Sequence, residues 1–250
     1  MLLLFDTSTT TAVVALADHE GGSLIREREY TRDEGGASLI LTGALEMLEE
    51  ADRDITSLTG VVINRGPGSY TGLRVGYALA QGLSESLRIP VATVPSFCAF
   101  ADQYRTDTAS LCVCYDARSR GTAWVTYLQE ETRPLRQGAG SSKRGHLALA
   151  EEVVELGEDE VVLQIAPAEA IPGLVPRPCR LAGPGVERFI ASFDHDLPDD
   201  MELIIGSDRA ASEHLLRLGS AALLTGGEDI LKVLPFYLGT MEAAPQRRKP

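Results

Sequence analysis

Positive charge is scarce in this sequence. Across 250 residues, 23 lysines and arginines face 36 aspartates and glutamates, for a formal net charge of −13, and only three of the basic residues are lysines. Such a chain repels polyanions on average. That argues against a protein that grips nucleic acid or an anionic membrane surface by itself. The one basic run, Arg247-Arg248-Lys249, reads as a solvated tail. Long apolar runs are missing too. No stretch approaches the ~18–20 residues of a membrane helix. The apolar start, Met1 to Phe5, meets Asp6 with no basic region before it, too short for a signal peptide. Cysteines are few: Cys98, Cys112, Cys114 and Cys179. Without an export signal they are expected as reduced thiols. Cys112 and Cys114 fall on one face of an apolar strand and read as small core residues, not as a metal or redox pair. These absences lead to the expectation of a cytoplasmic protein.

What is present is an ordinary globular composition, 44% hydrophobic and 24% charged, in a chain long enough for one large domain or two lobes of roughly 100–150 residues. Leu2 to Phe5, Thr11 to Ala17 and Ser23 to Thr31 read as three hairpin-connected strands. Leu39, Leu41, Leu45, Leu48 and Ala51 then recur at helical intervals, which predicts a helix over Ser38 to Ala51. Strands are expected at Gly60 to Ile63 and Val91 to Val94, with helices over Tyr70 to Leu87 and Pro95 to Tyr104. A mixed sheet with helices packed on it is an α/β architecture.

A polar stretch around Arg105 to Ser110 is the expected boundary between lobe 1–106 and a smaller lobe 107–250. Beyond it the opening pattern returns. Leu4-Phe5-Asp6-Thr7-Ser8 and Cys114-Tyr115-Asp116-Ala117-Arg118 each close a strand with an aspartate, turn on small or polar residues and lead to a second strand, Thr122 to Leu128 in the later case. This is an internal duplication whose period is a whole lobe. Later elements are expected as a helix over Gly145 to Leu156, a strand over Val161 to Ile165, helices over Gly185 to Phe193 and Asp208 to Leu218, and a final strand over Val233 to Leu238.

Three features could carry chemistry or recognition. The first is the turn Asp6-Thr7-Ser8, with its counterpart at Asp116. Consecutive turn amides can form an anion nest, and a nearby carboxylate can hold Mg²⁺. Phosphate binding and an inherited turn capped by its aspartate stand open side by side. The second is the loop Arg65-Gly66-Pro67-Gly68-Ser69, with Ser69 as N-cap of the following helix, whose N-terminus can hold an anion. It lacks the Gly-Lys-Ser/Thr of a Walker phosphate loop. The third is that helix. Gly72, Gly76, Ala80 and Ser84 recur every four residues, and two glycines within a helix cost roughly 1 kcal/mol each relative to alanine. The stripe implies close approach of another backbone, either this protein's own first helix or a helix of a partner.

The strings Met1 to Thr9, Arg65-Gly66-Pro67-Gly68-Ser69-Tyr70-Thr71-Gly72-Leu73-Arg74-Val75-Gly76 and Tyr115-Asp116-Ala117-Arg118 together resemble the TsaB (YeaZ) family, strongly over residues 1–130 and weakly afterwards. Leu234-Pro235-Phe236-Tyr237-Leu238 is similar to that family's near-terminal Pro-x-Tyr-Leu-Arg, with Gly239 in place of the arginine. The resemblance implies a two-lobed actin-like, ribonuclease H-like fold with a degenerate second lobe. It implies a non-catalytic dimerisation subunit that binds the catalytic subunit TsaD, with the ATPase TsaE in the larger complex. TsaD transfers a threonylcarbamoyl group to N6 of the adenosine next to the tRNA anticodon. TsaD's metal sits on a His-x-x-x-His pair. Here His19, His146, His195 and His214 include no i, i+4 pair, so neither a metal nor protease activity is expected.

The resemblance further implies pairing through the first two helices. Leu41, Leu45, Leu48, Gly72, Leu73, Gly76, Tyr77, Ala80 and Leu83 are the expected partner interface. Asp6, Thr7, Ser8, Gly66, Gly68, Ser69 and Asp116 are then a vestigial phosphate loop. No catalytic residue and no cofactor of the isolated subunit is expected, and any ATP and Mg²⁺ would belong to the assembled complex. tRNA would be met only indirectly, and a homodimer through the same helices is the other use of that surface. The alternative is a small ATPase or kinase of the same superfold, using Asp6 and Asp116 around Mg-nucleotide.

Overall fold

The computed structural model describes residues 1–18, 23–117, 121–127, 150–156, 159–193, 196–206 and 208–238, with the backbone alone over 150–162. Its first half runs β1 (Leu2–Asp6), β2 (Thr11–Ala17), β3 (Leu24–Thr31), α1 (Ile40–Glu50), β4 (Gly60–Gly66), α2 (Tyr70–Leu87), β5 (Val91–Pro95) and α3 (Ser96–Tyr104). The second runs β6 (Ser110–Asp116), β7 (Thr122–Tyr127), β8 (Ala150–Leu156), β9 (Asp159–Ala166), α4 (Ile171–Leu174), β10 (Cys179–Ala182), α5 (Val186–Ser192), β11 (Met201–Leu203) and α6 (Ser212–Leu224). The strands form two sheets, ordered β3-β2-β1-β4-β5 and β11-β10-β6-β7-β9-β8. In each sheet the first strand of the half pairs antiparallel with its hairpin partner and parallel with a later strand: β1 with β2 and β4, β6 with β7 and β10.

The period-two alternation of β1 divides the core. Leu3 and Phe5 point outward to a cluster under α1 and α2 that contains Ile40, Met47, Tyr77 and Leu83. Leu2 and Leu4 point inward to a cluster that both sheets share with α3 and α6, including Phe97, Phe100, Val113, Tyr115 and Leu215. A third cluster, with Cys112, Cys114, Trp124, Ile171 and Phe189, lies on the outer face of the second sheet under the short α4 and α5. The two cysteines are therefore buried core residues on one strand face, as expected.

Several expectations need correction. The helix expected over Gly145 to Leu156 is, where described, the strand β8, in register with β9 through Val153–Val162 and Val154–Val161. Its apolar spacing fits either period, and pairing with a β-branched neighbour strand decided it. The strand expected over Val233 to Leu238 does not form. Phe236 N–H donates to the Arg65 carbonyl at 2.7 Å, and Arg65 Nε donates to the Leu234 carbonyl at 3.1 Å, so these groups never enter a ladder. The last helix runs over 212–224, further along than 208–218. α6 packs on β4, β5 and α3, in the core that the two sheets share.

Candidate functional site

The end of β1 is a closed polar network. Asp6 is 2% exposed, and Thr7 and Ser8 are also buried. The Asp6 carboxylate accepts from the Ser8 amide at 2.8 Å through Oδ1 and from Asn64 Nδ2 at 2.8 Å through Oδ2. Asn64 Oδ1 in turn accepts from the Gly66 amide at 2.7 Å, and the Ser69 amide donates to the Ser8 carbonyl at 2.6 Å. Ser69 Oγ caps α2 by accepting from the Gly72 amide at 3.2 Å. Gly66 has φ +97°, a left-handed conformation that favours glycine. At Gly68 a Cβ would fall on the Ser8 carbonyl oxygen. The structure thus brings Asp6, Thr7, Ser8, Gly66, Gly68 and Ser69 together around Asn64, with the amides of Ser8, Gly66 and Ser69 bonded within the network. Asn64, the hub of the network, was not singled out by its sequence, because a lone asparagine ending an apolar strand carries no signal of its own.

Asp116 lies in the equivalent place in the second sheet but is exposed, and accepts from Arg188 Nη1 at 3.0 Å. Arg118 and Arg120 of its turn lie outside the described residues. A second match went unread in the sequence. Gly183-Pro184-Gly185 stands between β10 and α5 as Gly66-Pro67-Gly68 stands between β4 and α2. Gly183 has φ +104°, and a Cβ on Gly185 would lie 2.5 Å from the Tyr115 nitrogen. The repeated Gly-Pro-Gly string was the signal that could have found it. Between the sheets, Tyr115 Oη meets Ser96 Oγ at 3.0 Å, and burial pushes the tyrosine hydroxyl's pKa well above its usual value.

The expected interface divides. Leu48, Leu73, Gly76, Tyr77, Ala80 and Leu83 are buried within the chain, and Gly72 is half-buried. The small-residue stripe is used by the chain itself: a Cβ on Gly72 would fall on the Thr7 carbonyl oxygen, and one on Gly76 would lie 2.5 Å from Thr7 Oγ1. The close backbone is the β1–β2 turn of the same chain, so Gly72 and Gly76 serve the approach of the hairpin. Leu41 and Leu45 face outward, 39% and 44% exposed. Beside them the outward row of α2 is Thr71, Val75, Ala78 and Gly82, all exposed. The C-terminal edge of α1 is mixed in charge, with Arg53 exposed beside Asp52. Arg28 pairs with Glu46 and Glu50, and Arg26 with Glu50 at 3.3 Å, while Glu49 and Asp52 are exposed beside them. Among the described residues no group of three or more His, Cys, Asp or Glu gathers as metal ligands, and no helix is long and apolar enough to cross a membrane.

Two sheets sharing a helical core, each opened by an aspartate-closed hairpin, define an α/β protein of the actin-like, ribonuclease H-like type. The family model described as TsaD: tRNA N6-adenosine threonylcarbamoyltransferase matches residues 37–141, under half of the chain. The tRNA threonylcarbamoyladenosine biosynthesis protein TsaB of Bacillus subtilis is 27% identical over 218 residues, covering 81% of this chain and 94% of that one. The Escherichia coli protein of the same name is 29% identical over 135 residues, 52% of this chain and 56% of its own length. A Pseudomonas aeruginosa crystal structure, described as an uncharacterized protein with similarity to peptidase YeaZ, superposes with a TM-score of 0.66 at 24% identity, covering 95% of this chain and 99% of that one. The chain is thus a homologue of the TsaB (YeaZ) proteins.

Proposed function

We propose that this chain serves in tRNA threonylcarbamoyladenosine biosynthesis as a non-catalytic subunit that docks on a TsaD-family catalytic subunit through the outer face of α1 and α2. The observation that carries the reading is the pairing of that face with the closed Asp6 network. Leu41 and Leu45 stand out beside Thr71, Val75, Ala78 and Gly82 of α2, with Arg74 and Glu85 exposed on the same helix. Exposed apolar side chains on adjoining helices suit burial against a partner's helices. Meanwhile the residues an ATPase of this superfold would use are engaged elsewhere: Asp6 is shut from solvent and held by Ser8 and Asn64, and Asp116 is paired with Arg188 at the surface. On this reading the catalytic metal, the nucleotide and the basic surface for tRNA belong to the partners, TsaE included, which accords with the acidic charge of this chain.

Size-exclusion chromatography with light scattering on an equimolar mixture with the TsaD homologue of the same organism tests it. A 1:1 complex is expected, lost on Leu45→Glu or Val75→Glu with the melting temperature of the variant unchanged. A glycine-stripe variant such as Gly76→Leu is no test, because it would strike Thr7 of its own chain. No complex with the wild type, or a complex that survives both glutamates, overturns the proposal.

A further inference from the structure

Residues 228–238 form neither helix nor named strand, yet they are fastened to the first sheet at both ends. At the start the Glu228 amide donates to the Val91 carbonyl of β5 at 2.7 Å. The Glu228 carboxylate accepts from the Thr93 amide at 2.8 Å and from the Thr93 hydroxyl at 2.5 Å. At the end the Phe236 amide donates to the Arg65 carbonyl of β4 at 2.7 Å, and Arg65 Nε donates to the Leu234 carbonyl at 3.1 Å. Between these fastenings the chain bonds to itself. The amides of Lys232 and Val233 donate to the Asp229 carbonyl, and that of Leu231 to the Asp229 carboxylate. Leu231 and Leu234 stand 62% and 72% exposed on this stretch.

Tyr70, Tyr77 and Gln81 lie seven and four residues apart on α2 and so share one side of it. The Tyr70 ring rests 4.7 Å from that of Tyr237, and Gln81 Nε2 donates to the Ile230 carbonyl at 3.5 Å. Tyr77 falls between these two contacts, 4% exposed and in the same buried cluster as Ile230. Its hydroxyl has no hydrogen-bond partner among the described residues. Thr93 comes near it without the geometry of a hydrogen bond, and gives its own proton to Glu228. Burial pushes the pKa of the Tyr77 hydroxyl up, and the charges of Arg65 and Glu228, one from each fastening, also act on it. A buried donor left without a partner works against whatever encloses it.

We infer that residues 228–238 are a strap that opens and closes as one unit over Tyr77, held shut by its two fastenings and opposed by the enclosed tyrosine hydroxyl. The inner amides are spent within the turn at Asp229, so the hydrogen bonds to the sheet are concentrated at the ends. Losing one end leaves the other to hold the whole strap alone. A segment held in this way opens well below the free energy of global unfolding. Opening gives the Tyr77 hydroxyl to water and uncovers Ile230. It also draws Glu228 away from Val91 and Thr93, which leaves β5 an open edge. The device lies within one chain and does not depend on the docking function proposed above.

Amide hydrogen exchange followed residue by residue by NMR on the full chain tests the inference, with thermal melts of each variant. In the wild type the Glu228 and Phe236 amides are expected to share one protection factor, at least about tenfold below those of Val62 and Ile63 in β4. Glu228→Ala, at an exposed position, is expected to speed exchange at Phe236, the far end of the strap, by about tenfold and to leave Val62 and Ile63 as they were. Tyr77→Phe is expected to slow exchange at both ends by about tenfold, because closing no longer strands a hydroxyl. If Phe236 in the wild type is as protected as Val62, the strap does not open by itself and the inference is overturned. It is equally overturned if Glu228→Ala leaves exchange at Phe236 within twofold of wild type, since the ends then open separately. If Tyr77→Phe speeds exchange or lowers the melting temperature, the hydroxyl is satisfied in the closed form, by a buried water or by Thr93, and the strap closes unopposed, against the inference.

Discussion

Each half of the molecule begins with a hairpin whose first strand ends in aspartate, continues into two parallel strands, and places a Gly-Pro-Gly turn between the first of these and the next helix. The last helix of each half, α3 and α6, enters the shared core between the sheets. Around this common plan the halves have diverged. The first encloses its aspartate under Asn64 and the Gly66–Ser69 loop, and covers its outer face with helices of 11 and 18 residues. The second leaves Asp116 at the surface and covers its outer face with helices of 4 and 7 residues. The difference teaches that the two carboxylates play unlike structural parts. In the first half the carboxylate is an internal brace; in the second it is a surface ion pair.

The comparison can be broken most forcefully at the turns. Gly68→Ala and Gly185→Ala each drive a Cβ into backbone, the Ser8 carbonyl oxygen in one half and the Tyr115 nitrogen in the other. Each is expected to destabilise by about 3 kcal/mol in chemical denaturation, the upper range for overpacking. An unequal pair would show that only one of the two turns still bears on its hairpin.

The aspartates come next. Asp6→Asn turns an amide N–H₂ toward a donor, either the Ser8 amide or Asn64 Nδ2, and leaves a buried polar contact unmade. It is expected to cost about 2 kcal/mol. Asp116→Asn removes an exposed ion pair with Arg188 and is expected to cost under ~1 kcal/mol. Equal losses in urea titrations would restore the symmetry argued against here.

The smallest effect belongs to the outer helices. Gly82 in α2 meets nothing within 4 Å of an added Cβ. Gly82→Ala is therefore expected to stabilise the isolated chain by roughly 0.5–1 kcal/mol through helix propensity, read as a raised melting temperature. Loss of stability would mean that the outward face of α2 is already covered within the free chain.

The sequence by itself determined a good deal. The unbroken apolar run of Leu2 to Phe5 marked a buried strand, Ser69 marked the start of α2, and the repeat of Asp6 at Asp116 announced two related halves. These are local facts, written in hydrophobic period, capping chemistry and turn residues. What only the tertiary structure decided were matters of who lies next to whom. The stripe Gly72–Gly76–Ala80 said that something comes close, but not that Thr7 of the same chain is what comes. Residues 150–156 carry an apolar spacing that suits a helix, and only their pairing with β9 made them a strand. The stretch 233–238 reads as another strand, yet Arg65 claims its hydrogen bonds first. In each case the deciding partner is distant in sequence, and spacing along a chain records the existence of a contact without its address.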